Sequence, residues 1–141
     1  MKHTKTNDRY IIKVERGEDV MKTLTEFCEE EEILNGLITG IGAVESVTCG
    51  YYELGTKEYH FTDYNEMVEV VSMTGNVALK DGKPFLHVHA VFTGEDNKAF
   101  GGHVKEMRVG VVLEVVLTPL DSKIERELDE EIGLFLMKCG E

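Results

Sequence analysis

The sequence predicts one strand-rich α/β (α+β) domain with a single main amphipathic helix, on three observations. Helical periodicity is confined to one long segment, where Val20, Leu24, Phe27 and Cys28 recur at i, i+4, i+7 and i+8 with polar residues between them. Short runs in which β-branched and aromatic residues alternate with polar ones fill most of the remaining chain. No repeat, low-complexity tract or Gly/Ser/Pro-rich linker divides the 141 residues, so residues 10–141 read as one domain behind a flexible tail, 1–9.

Tyr10 to Val14 reads as a first strand, and Arg16-Gly17-Glu18-Asp19 as the turn and cap before the helix. The helix ends in Glu29 to Glu32, acidic charge at the end where the helix dipole prefers cations, which marks a solvated terminus. Ile33 to Ile38 resumes as strand and reaches Thr39-Gly40-Ile41-Gly42-Ala43. That turn allows close backbone approach, but it lacks a dinucleotide fingerprint and opens no helix. Val44–Leu54, Glu58–Thr62 and Glu66–Ser72 follow as half-wet strands. Gly75, Lys80-Asp81-Gly82-Lys83 and Gly94-Glu95-Asp96-Asn97 punctuate two more. A short second helix is expected near Gly101–Val104, before an apolar strand from Val109 to Leu117. Ser122–Lys138 stays open: Ile124, Leu128 and Ile132 have helical spacing, whereas Ile124, Arg126 and Leu128 alternate as in a strand.

Composition narrows the function classes. Fifteen Lys and Arg face 27 Asp and Glu, a formal charge of −12, which opposes sequence-independent affinity for DNA. The basic clusters are short: the N-terminal residues, and Lys98, Lys105 and Arg108 interrupted by Glu106. The longest uncharged apolar run, Val109 to Leu113, falls far below the roughly 18 residues of a membrane span, so no membrane role is expected. No leader pattern follows the basic N-terminus, and Cys28, Cys49 and Cys139 form no Cys-x-x-Cys pair or disulfide framework; a cytoplasmic location is expected.

Chemistry concentrates in Pro84-Phe85-Leu86-His87-Val88-His89-Ala90-Val91-Phe92. On a strand, Leu86, Val88, Ala90 and Phe92 share one apolar face, and His87 and His89 leave the other, roughly 6.6 Å apart along the strand. His103, after Gly101-Gly102, supplies a third imidazole once the intervening loop folds back. Three neutral imidazoles with an open fourth position suit zinc. The alternative is a pair of hydrogen-bonded surface histidines with His103 capping a helix. His3 and His60 lie outside the set. Glu114, the odd polar residue in Val111–Leu117, is the candidate catalytic or outer-sphere carboxylate; the competing reading is a salt bridge to Arg108 or Arg126. No Ser or Cys sits in a nucleophile elbow, and Cys49 lies within a strand.

Phe85–Phe92, Ala99-Phe100-Gly101-Gly102-His103-Val104 and Val112–Leu117 together resemble the plants-and-prokaryotes-conserved (PPC) domain, as do Glu69–Val77 and Gly40–Val44, over about Tyr10 to Leu136. The resemblance implies a compact, mixed, largely antiparallel sheet with one main helix, a homotrimer, and zinc on His87, His89 and His103. It also favours the extended reading of Lys123–Asp129, with Arg126 on a recurrent family arginine. Prokaryotic members carry a DNA-binding label and plant members add an AT-hook, but this chain has no Arg-Gly-Arg-Pro hook. DNA is therefore expected to be met weakly or through a partner protein. The function so implied is a zinc-binding homotrimeric assembly or regulatory module. The fold also resembles acetolactate decarboxylase, which keeps open a metal-dependent lyase or hydrolase taking a small-molecule ligand, a small oxo-acid.

Overall fold

The computed structural model describes residues 1–139, and one helix lies among ten elements. In order these are β1 (Lys2–Lys5), β2 (Tyr10–Glu15), α1 (Val20–Glu30), β3 (Gly36–Glu53), β4 (Glu58–Tyr64), β5 (Val68–Lys80), β6 (Lys83–Thr93), β7 (Ala99–Pro119), β8 (Arg126–Asp129) and β9 (Leu134–Met137). The α+β class is as the sequence predicts, and every strand ladder is antiparallel.

Seven strands run β1-β2-β7-β6-β5-β3-β4, and β7 also pairs with β3. That extra pairing closes β7, β6, β5 and β3 into a ring. β7 can serve both neighbours because it is 21 residues long: Ala99–His103 meets β6, and His103–Pro119 meets β3.

Helix α1 is capped by Asp19, whose carboxylate accepts from the Lys22 backbone N–H at 2.8 Å. Val20, Leu24, Phe27 and Cys28 are buried against β6 and β7. Each such side chain removed from water stabilises the fold by about 1.5–3 kcal/mol, against about 0.3–1 kcal/mol for an acidic residue misplaced at a helix C-terminus. Packing therefore wins, and Glu29 to Glu32 stay exposed as expected. Tyr10 donates to Glu31 at 2.7 Å, tying β2 to the helix end.

Two expectations are corrected, and one open segment is resolved. Lys2–Lys5, read as tail, forms edge strand β1 on Tyr10–Lys13. All four of its residues are exposed, so no apolar alternation announced it. The short helix expected near Gly101–Val104 is instead the start of β7. A Cβ at Gly101 would stand 2.1 Å from the Ala90 carbonyl oxygen and one at Gly102 2.4 Å from that of Gly50, so the glycine pair lets β7 press between β6 and β3. The open segment Ser122–Lys138 becomes the hairpin β8–β9, following the alternating pattern.

Candidate functional site

Leu86, Val88, Ala90 and Phe92 are all buried, which turns His87 and His89 to the opposite face of β6. His103 lies directly across the β6–β7 ladder from His89, where facing Cβ atoms stand about 4.5–5.5 Å apart. The ring centroids are 5.0 Å apart for His87–His89, 5.2 Å for His87–His103 and 5.4 Å for His89–His103. One nitrogen from each ring lies within 4.8 Å of the others.

The donor set fits a zinc ion. Two nitrogens bound at about 2.0–2.1 Å in a tetrahedron are separated by about 3.3 Å, and the Nε2 atoms of His87 and His89 are 3.2 Å apart. His103 Nδ1 is buried without a hydrogen-bond partner, an acceptor or donor left unmatched by the protein. Burial, then the Arg126 cation and the neighbouring imidazoles, push His87 down to about 4. Burial and His89 lower His103 as well. Both rings are therefore neutral near pH 7, with lone pairs available.

Tyr59 and Phe61, on β4, bring aromatic rings to 4.8 and 6.3 Å of His103. Their approach runs through Gly50, which faces His103 on one side and Phe61 on the other and has no side chain to intervene. Arg126, at the base of β8, is buried; its Nη2 donates to Asn76 Oδ1 at 2.7 Å and its Nη1 to the Phe135 carbonyl at 3.1 Å. Asn76 in turn faces His87 across β5–β6. Asn76 and Tyr59 carried no sequence signal beyond their places in alternating strands.

Glu114 does not join the cluster. It is exposed on β7, opposite Lys13 and Ile41, eleven residues beyond His103, or about 36 Å of extended strand. Leu113, Val115 and Leu117 point inward while Glu114 takes the other face, so its burial in an apolar run is corrected. The alternative salt bridge is absent too: Arg108 donates to the Gly17 carbonyl, and Arg126 to the partners above. His60 lies apart, 2.7 Å from Glu53 and stacked on Tyr51.

The electrostatics set a pH dependence for the metal-free protein. His87 has a folded pKa of about 4 against 6.5 for the free group, so above pH 6.5 its ring is neutral in both states. Between pH 6.5 and 4 the unfolded chain takes a proton that the folded ring refuses, and stability falls across that window. The loss is at most about 3 kcal/mol, and less because the ring is partly open to solvent. Urea midpoints of chelator-treated protein at pH 7 and 4.5 check this: His87→Gln should show a smaller drop than wild type, and an equal drop contradicts it.

A closed antiparallel ring of strands with one covering helix, carrying three convergent imidazoles on its outer face, defines a structural class. The chain belongs to the Plants and Prokaryotes Conserved (PCC) domain family, whose model matches residues 1–121. Among solved structures, a protein of Bacteroides thetaiotaomicron with a provisional DNA-binding designation superposes with a TM-score of 0.94 at 28% identity, over 97% of this chain and 96% of that one. A metal-containing protein from Archaeoglobus fulgidus is 37% identical, with a TM-score of 0.88 and 95% of each chain covered. A plant- and prokaryote-conserved protein from Pyrococcus horikoshii is 33% identical, with a TM-score of 0.88 over 99% of this chain and 95% of that one. Acetolactate decarboxylase from Bacillus subtilis shares the fold alone, at 14% identity and a TM-score of 0.59 over 86% of this chain and 57% of that one. No curated protein sequence matches the chain. Among the described residues no helix is long and apolar enough to cross a membrane.

Proposed function

We propose that this chain is a zinc-binding, homotrimeric module acting in regulation or assembly, with His87, His89 and His103 as the metal ligands. The observation that carries the reading is the convergence of three imidazoles around a 3.2 Å nitrogen pair beside the unpartnered His103 Nδ1. The metal-containing relative supports it. Zinc held there would bring neighbouring strands under one set of bonds, or act as a Lewis acid at its fourth position. Metal analysis of untagged protein should find close to one zinc per chain; protein that carries none and takes up none on addition would overturn the reading.

A trimer is supported by the apolar surface that the single helix leaves uncovered. Ile11, Ile41, Val71 and Val111 are each between 44% and 60% exposed. Ile11 and Ile41 line, with Met73 and Val116, a concavity of about 750 Å³. Sedimentation at micromolar concentration should give three chains per particle, and a monomer would contradict this.

DNA is met weakly or through a partner protein. Three times −12 gives the trimer −36, a field that opposes a polyanion. The cations of the short basic cluster are dispersed among local partners: Lys98 pairs with Asp96, Lys105 lies over the Phe61 ring and Arg108 binds the Gly17 carbonyl. A fluorescence titration with duplex DNA at 150 mM salt should show no sub-micromolar binding; such binding, lost on reversing Lys105 and Arg108 to Glu, would establish direct recognition instead.

A second reading, a metal-dependent lyase or hydrolase on a small oxo-acid, draws on one observation. Among the described residues no fourth protein ligand stands with the three imidazoles, and an open position is what a catalytic ion keeps.

A further inference from the structure

We propose that Arg126 and the three-histidine cluster together form a binding position for a small oxyanion, one oxygen of which takes the metal's fourth position while another accepts from the Arg126 guanidinium. This rests on the zinc reading above and goes beyond it by naming the ligand's chemistry.

Among the described residues, the Arg126 charge has no anionic partner. Arg126 is only 8% exposed, yet its two hydrogen-bond partners, Asn76 Oδ1 and the Phe135 carbonyl, are neutral. Its Nε is buried with no partner at all. A buried cation is ordinarily matched by an anion, because removing it from water costs several kcal/mol that dipoles repay only in part. Among the described residues, no Asp or Glu pairs with Arg126.

The second observation is where this cation sits. Arg126 is joined through Asn76 to the β5–β6 ladder at His87, and its charge is felt at both His87 and Tyr59. Tyr59 packs 4.8 Å from His103, so Arg126 and Tyr59 border the cluster. No Asp or Glu belongs to the cluster among the described residues. Three neutral imidazoles add no charge, whereas a bound dication and the guanidinium are both positive and leave the position anion-deficient. A carboxylate or phosphate supplies what is missing: one oxygen for the metal and others for the planar N–H fork, the geometry at which Arg is selective. Tyr59 can donate a further hydrogen bond.

Cobalt(II) serves as the probe metal, since its visible absorption reports both occupancy and a change of ligand. Cobalt-loaded wild-type protein should change spectrum saturably on titration with acetate or inorganic phosphate, one anion per chain; the probe that acts identifies the carboxylate or phosphate source. Arg126→Gln should hold cobalt with an unchanged anion-free spectrum and bind the anion about tenfold or more weakly, the scale of a lost charge-assisted bond. Tyr59→Phe, which leaves the hairpin contacts of Arg126 intact, should weaken it by a smaller factor and keeps the test sound if Arg126→Gln folds poorly. Failure of the wild type to take up cobalt or zinc defeats the metal reading and this one with it. Normal metal uptake with no response to either anion, or equal anion affinity in wild type and a folded Arg126→Gln, overturns the oxyanion position alone.

Discussion

Protein carrying His87→Ala or His89→Ala should emerge from dialysis against metal-free buffer with almost no zinc, while His60→Ala should keep the wild-type content. The two rings place Nε2 atoms 3.2 Å apart on one face of β6, and removing either leaves at most two imidazoles for an ion that needs three or four donors. Changes in the outer shell of a zinc site already cost about 10–100-fold in affinity, so loss of a direct ligand should exceed about 100-fold. His60 is the matched control, because it is a strand histidine with its own carboxylate, Glu53 at 2.7 Å, and no place in the cluster. Equal zinc content in His87→Ala and wild type would sink the assignment of these ligands.

The legibility of this site in the sequence followed from the regularity of strands. A period of two puts His87 and His89 on one face as soon as Leu86, Val88, Ala90 and Phe92 claim the other, and the structure keeps that partition. His103 needed more than periodicity. Its position opposite His89 depends on a hairpin register between β6 and β7, which the Gly94–Asn97 turn sets. The placement of Arg126 and Tyr59 beside the cluster was beyond reach for a further reason, although the family resemblance marks Arg126. They arrive from β8 and β4, and nothing local in either segment encodes which strand of a closed ring it will border.

The misreadings have a common physical origin. Lys2–Lys5 is an edge strand exposed along its whole length, held by backbone pairing and by surface contacts such as the His3 ring 4.9 Å from Phe27 and the Lys2–Glu15 ion pair, none of which an apolar alternation would announce. Glu114 was misplaced because Val111–Leu117 looks uniformly apolar, although one face of β7 there is open: Val112 and Val116 are half-buried and Glu114 is exposed, while Leu113, Val115 and Leu117 are buried. An apolar outer face is what a subunit contact would cover, and the sequence of one chain does not separate that use from a core.

The Gly101-Gly102 step should prove as decisive for stability as the histidines are for metal. Gly101→Ala places a Cβ 2.1 Å from the Ala90 carbonyl oxygen and 3.1 Å from the Val91 Cα, both backbone atoms of β6 that a rotamer change cannot move. Relief requires β7 to back away from β6, and the ladder from His89–His103 to Thr93–Ala99 opens with it. The expected cost lies at the upper end for overpacking, about 3 kcal/mol, or a fall in melting midpoint on the order of 10 °C for a domain of this size. Because His103 lies two residues on and opposite His89, zinc affinity should fall in the same variant although no ligand has been changed. Gly94→Ala, where an added Cβ meets nothing within 4 Å, should stay within about 0.5 kcal/mol of wild type. Urea unfolding of the metal-free proteins, with zinc content measured on the same preparations, decides the matter: a Gly101→Ala protein as stable as Gly94→Ala would mean that the close approach of β7 to β6 is not what the glycine pair is for.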